Sequence, residues 1–213
     1  MRRYWLLLLP LLLNPATRAS GETEGDAAYR QAIHRRAERI VEPLEISDPQ
    51  QRDRVVDLIA GQYYKLQEIH AVRDHLLEAA AEDKTAALDA YQRQVVTQHR
   101  TFCAQLLAEL DPQRLEQVKD GMTYGVVPHT YNAYSQLLPD LTEEQKRFIR
   151  FNLLEAREYA MDAGSAEEKH ALFGKYKGRI NNYLSQAGYD LKQAEHDLAE
   201  RTKKKASHDE DQN

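Results

Sequence analysis

Apolar residues recur three and four positions apart along almost the whole chain, and no run alternates apolar with polar. A period near 3.6 collects such residues on one helical face, whereas a half-buried strand needs a period of two. The pattern predicts an all-α protein: a single elongated helical bundle over residues 20–202, with a charged tail over 203–213 read as disordered.

Local signals divide the bundle. A first helix is predicted from about Asp26 to Glu42, stopped by Pro43. A second starts at Ser47, where Ser47-Asp48-Pro49-Gln50 reads as a capping box, and runs to about Glu82. The third, Thr85 to Glu109, is expected to bury Leu88, Tyr91, Val95, Phe102, Leu106 and Leu107. Asp111 and Pro112 open a short fourth helix. Gly121 to Tyr131, with two glycines and Pro128 among aromatics, reads as one ordered loop. A brief helix passes through Tyr134 and Leu137, and others run from Thr142 to about Ala163, from Ser165 to Gly188 and from Asp190 to about Arg201.

The N-terminus carries Arg2 and Arg3, an apolar run from Trp5 to Leu13, and Thr17 and Ala19 as a small-x-small site. This is the grammar of a secretory leader over residues 1–19, too short to span a bilayer, and it predicts a periplasmic or extracellular protein with no membrane span after cleavage. Removing the leader takes three of the 29 basic residues and none of the 34 acidic ones, which leaves a net charge of −8. A polyanion needs a basic footprint, so nucleic acid is not an expected partner. The single cysteine, Cys103, falls among apolar residues and reads as a buried thiol.

Four constellations bear on chemistry. His70 and Asp74 lie four apart, and Glu167-x-x-His170 has the spacing used in di-metal bundles. Such sites need two of these motifs plus two inward carboxylates, so no metal and no cofactor is predicted. Glu155, Glu158 and Asp162 share a helical row, as a glycosidase acid pair would. The interleaved Lys146, Arg150 and Arg157 explain the row as ion pairing on a solvated face. Leu141-Thr-Glu-Glu-Gln145 resembles the Leu-Thr-x-x-Gln signature of small helical periplasmic stress chaperones, which keeps an interaction role open.

The fourth concerns saccharides, which are bound by aromatic faces together with forked polar side chains; the chain has 12 tyrosines. Tyr124, His129 and Tyr131 bracket the predicted loop, and Lys175, Arg179 and Asn182 form a stripe at i, i+4 and i+7 beside an apolar stripe through Phe173, Tyr176, Ile180 and Tyr183. Gly174 and Gly178 cost about 1 kcal/mol each inside a helix, which points to close approach of a ligand or a second helix.

Taken together, Tyr63-x-x-Leu66-x-x-Ile69-His70-x-x-Arg73-Asp74, His129-Thr-Tyr131, Leu141-Thr-Glu-Glu-Gln145, Glu155 to Ser165 and Lys169-His-Ala-x-Phe-Gly-Lys-Tyr-Lys-Gly-Arg-Ile-Asn-Asn-Tyr-Leu184 resemble an exported bacterial family of unknown function, domain of unknown function 3826. That family carries a sugar-binding label and occurs beside polysaccharide-degrading enzymes. The resemblance implies a helical, exported, sugar-related protein and supplies no catalytic residues. The expectation is a protein that binds a saccharide, with an acidic one in view, through Lys175, Arg179, Asn182, His129, Tyr131 and Tyr124 without turnover. A polysaccharide lyase or hydrolase stays open as the alternative.

Overall fold

A computed structural model describes residues 24–79 and 84–210; the predicted leader and residues 211–213 lie outside them. Among the described residues the chain forms α1 (Glu24–Val41), a 3-10 turn (Glu42–Leu44), α2 (Pro49–Ala79), α3 (Thr85–Glu109), α4 (Pro112–Met122), α5 (Val126–Leu137), α6 (Glu143–Ala160), α7 (Ala166–Gln186) and α8 (Leu191–Glu210). No strand occurs among them, so the protein is all-α. No helix among them is long and apolar enough to cross a membrane.

The helix starts follow local chemistry. Asp111 accepts the Arg114 N–H at 2.9 Å ahead of Pro112. Thr142 and Gln145 form a reciprocal capping box, so the Leu-Thr-x-x-Gln signature serves here as the start of α6. Ser165 accepts the Glu168 N–H at 3.1 Å and opens α7. At α2 the cap moves one residue from the expected place: Asp48 accepts the Gln50 N–H at 2.9 Å, which leaves Pro49 at the first helical position.

Two stretches depart further from expectation. The predicted loop over 121–131 is a turn of three residues, Thr123 to Gly125, between α4 and α5. Pro128 is the third residue of α5, where its missing N–H would have had no intrahelical partner, so it starts a helix rather than breaking one. The predicted disordered tail is helical as far as Glu210. Asp190 caps this helix by accepting the Gln193 N–H at 3.0 Å, and no glycine or proline follows before Glu210 to stop it.

The core consists of two apolar clusters. One joins α1 to α4, centred on Ile59, Phe102, Leu106 and Val118; the other joins α5 to α8, centred on Ile149, Leu153, Phe173 and Ile180. Leu88 and Leu107, expected inside, are 45% and 49% exposed because α3 packs through Phe102 and Leu106. A Cβ on Gly121 would come within 2.9 Å of Ile40, so glycine sets how closely α4 approaches α1. Nothing lies within 4 Å of a Cβ built on Gly174 or Gly178, so neither serves the close approach of a second helix.

Candidate functional site

The two clusters meet along a polar seam. Arg157 on α6, a buried side chain, donates to Asp120 at 2.8 Å, to Glu158 at 3.1 Å and to Glu116. Lys119 donates to Glu158 at 2.8 Å. His99 on α3 donates from Nδ1 to Asp162 at 2.6 Å and lies 3.3 Å from Glu158 through Nε2. Asp162 also accepts from Gln62 at 3.3 Å.

Within the predicted row of acids, Glu158 and Asp162 are therefore not on a solvated face. Glu158 and Asp162 are tied to cations on α3 and α4, and Glu155 pairs with Arg179 at 3.2 Å. Burial alone would raise the Glu158 carboxyl, but hydrogen bonds from His99, Lys119 and Arg157 hold it at about 2. The Asp162 bond first, with Cys103 and Glu158, pushes His99 up to about 11. Charges fixed in this way lock α3, α4 and α6 together and leave Glu158 without a proton to give near neutral pH. Cys103 is only half-buried, with its thiol 3.7 Å from His99.

His70 is engaged on both ring nitrogens. Its Nε2–H donates to the Asp162 carbonyl at 3.0 Å, and its Nδ1 lies 3.1 Å from the Tyr91 hydroxyl, which places it as the acceptor there. Burial lowers its pKa, which suits this neutral form. No group of three or more His, Cys, Asp or Glu among the described residues could hold a metal ion.

Beside the seam a cleft of ≈ 430 Å³ opens between α1, α2, the turn after α4 and the start of α7. Tyr29, Tyr63 and Tyr124 line it together with Arg36, His70 and Lys169. A second cleft of ≈ 490 Å³ adjoins it, sharing Arg36, Tyr63 and Tyr124. Both volumes fall in the range of about 300–1,000 Å³ that small-molecule sites occupy.

The side chains at the junction are held firmly. The Arg36 guanidinium sits over the Tyr63 ring, 5.5 Å from its centroid. Burial pushes the Tyr63 phenol up to about 12, so it keeps its proton and can donate. Tyr124 has φ 59°, a left-handed conformation that costs a residue with a side chain roughly 1–2 kcal/mol, and Gly125 follows at φ 65°. The Gly125 N–H closes the turn on the Asp120 carbonyl at 2.8 Å and points the half-exposed Tyr124 ring at both clefts.

Lys169 is the most deeply buried charged group of the cleft. It is 5% exposed, and its ammonium donates to the carbonyls of Met161 at 3.3 Å and Met122 at 3.4 Å. Burial pulls its pKa down to about 8, against the attraction of Asp162. A larger groove of ≈ 850 Å³ beside the 3-10 turn is lined by five carboxylates and by no tyrosine, phenylalanine or tryptophan, and it lacks the ring faces that the first cleft offers.

Of the six residues singled out from the sequence, Tyr124 lines these clefts. Arg179 lies on the outer face of α7, 4.6 Å over the Tyr176 ring and 3.2 Å from both Asn152 and Glu155. Lys175 and Asn182 are exposed on the same helix. His129 and Tyr131 sit on α5, Tyr131 packed against the second core cluster. Tyr29, Arg36, Tyr63 and Lys169 were missed. Lys169 carried a signal, since it continues the apolar stripe through Phe173, Tyr176 and Ile180 at i, i+4, i+7 and i+11.

No curated protein matches the chain. The profile of the family described as protein of unknown function (DUF3826) matches residues 30–204, a span that includes Arg36, Tyr63, Tyr124 and Lys169, and the chain belongs to that family.

Proposed function

We propose that this protein binds a saccharide in the cleft bounded by Tyr29, Tyr63, Tyr124 and Lys169, and does so outside the cytoplasm without turning the sugar over. The observation that carries the reading is the convergence of three tyrosines, from α1, α2 and the turn after α4, on one concave site with Arg36 and a buried lysine. Ring faces would take the C–H patches of a sugar, while Gln67 and the Tyr63 hydroxyl offer hydrogen bonds to its hydroxyls. The setting follows from the leader grammar of residues 1–19. The stripe of Lys175, Arg179 and Asn182 is a weaker site, because Arg179 is already paired and stacked on an open helix face.

Tyr124→Gly tests the reading. Glycine adopts the left-handed backbone without cost, and the Tyr124 ring is 46% exposed, so stability should stay within about 1 kcal/mol of the parent. Binding on a glycan array should nonetheless be lost. Retained binding would remove the cleft from consideration.

One observation favours a second reading. A lysine held at about 8 lies near the operating pH of a general base, as a lyase acting on a polyuronide would need. Under the binding reading, incubation with polyuronides yields no unsaturated-uronide absorbance. Absorbance that appears with the parent and vanishes in Lys169→Met would establish the lyase.

A further inference from the structure

We infer that the ligand is an anionic oligosaccharide of at least two units, one bearing a carboxylate or sulfate seated against Lys169 and Arg36, its neighbour lying in the adjoining cleft. The inference rests on the saccharide reading above and names the class of sugar and its length.

A buried ammonium is costly unless an anion or a full set of acceptors surrounds it. Lys169 has two backbone carbonyls, both at the long end of hydrogen-bond distances, and no ion pair among the described residues. Arg36, on the same cleft, stacks on Tyr63 and likewise forms no ion pair among the described residues. The carboxylates nearby are committed elsewhere: Asp74 accepts from Arg73 at 2.7 Å, Asp162 from His99, Glu168 from the Gly164 N–H at 2.7 Å, and Asp120 from Arg157. Two cations thus face one cleft with the local acids already engaged. A uronate or a sulfate ester supplies the missing anion, and a neutral sugar does not.

Tyr63, Tyr124 and Arg36 border both clefts, so a ligand filling one reaches the edge of the other. The second cleft is floored by Ile40, Pro43 and Leu44, with Gln117 and Arg39 at its margin. An apolar floor with a polar margin suits the C–H face of a second sugar ring, and the first cleft holds the charge. The conformation imposed on Tyr124 and Gly125 places one ring at the boundary of the two.

The test is calorimetric titration of the parent with uronides of one to four units, with sulfated oligosaccharides, and with neutral oligosaccharides of the same lengths. The trimer of a uronide or sulfated series should bind at least about tenfold more tightly than its monomer and than the neutral trimer. Lys169→Met should erase the preference for the charged trimer, and Arg36→Gln, at an exposed position, should weaken it in the same direction. Gln117→Trp, which fills the second cleft, should bring trimer affinity down to that of the monomer. The uronide and sulfate arms decide which anion is meant. Equal affinity for neutral and charged trimers, or for monomer and trimer, overturns the inference and leaves saccharide binding standing. Failure to bind any of the sugars overturns both.

Discussion

Arg157→Met is expected to lose about 3 kcal/mol of folding stability at neutral pH, the lower end of what breaking a buried ion pair costs. The methionine replaces the stem of a side chain that is 3% exposed, so the loss is electrostatic and not a cavity. What remains is Asp120 and Glu158 without a guanidinium between two apolar clusters. The partners Asp120 and Glu116 are 30% and 48% exposed, and solvent screening keeps the figure from rising further. The pH dependence has a definite sign. Glu158 is held at about 2 against an ordinary value of 4.5, so its contribution is present above about pH 4.5 and is lost as pH falls toward 2. Arg157 supplies a share of that depression after His99 and Lys119, so urea denaturation at pH 7 and pH 3 should show a modestly smaller penalty for the variant in acid. A penalty below about 1 kcal/mol at pH 7 would mean that the seam does not hold the two clusters together.

Lys169→Met is expected to act in the opposite direction, raising stability at pH 7 by about 2 kcal/mol. The ammonium falls from an ordinary 10.5 to about 8, and each unit is worth about 1.4 kcal/mol; the loss of two long hydrogen bonds to carbonyls takes back about 1 kcal/mol. A base whose folded pKa is depressed burdens the native state fully below that pKa. The burden is relieved as pH rises from about 8 to 10.5, where the unfolded chain still binds the proton that the folded chain has released. The advantage of the methionine variant should thus shrink between pH 7 and pH 10, read by chemical denaturation at both. An equal difference at the two pH values would show that Lys169 is not the burden described. A side chain that weakens the fold while lining a cleft is what a ligand contact looks like in energetic terms.

What the sequence made legible was local. Thr142, Ser165 and Asp111 announce their helices because a capping side chain needs only the next three residues to do its work. The same local reading turned the Gly121 to Tyr131 stretch into a loop, because Pro128 reads as a breaker until its place in the first turn of a helix is known. It also assigned Gly174 and Gly178 a close contact that tertiary packing does not make. The buried cations were visible in principle: Arg157 lies in register with Leu153 and Ala160, as Lys169 does with Phe173. Their partners were not. Asp120 and Glu116, which meet Arg157, come from α4, and nothing in α6 says that they will arrive. The cleft was hidden for the same reason, since Tyr29, Tyr63, Tyr124 and Lys169 lie on four segments spread over most of the described chain.

The central claim is that this cleft, and not the outer face of α7, receives the sugar. Backbone amide shifts followed by NMR during titration with a uronide trimer test it most directly. Perturbations should concentrate at Arg36, Tyr63, Tyr124 and Lys169, with Lys175, Arg179 and Asn182 unmoved. Perturbations confined to Lys175, Arg179 and Asn182, or none at saturating trimer, would contradict it.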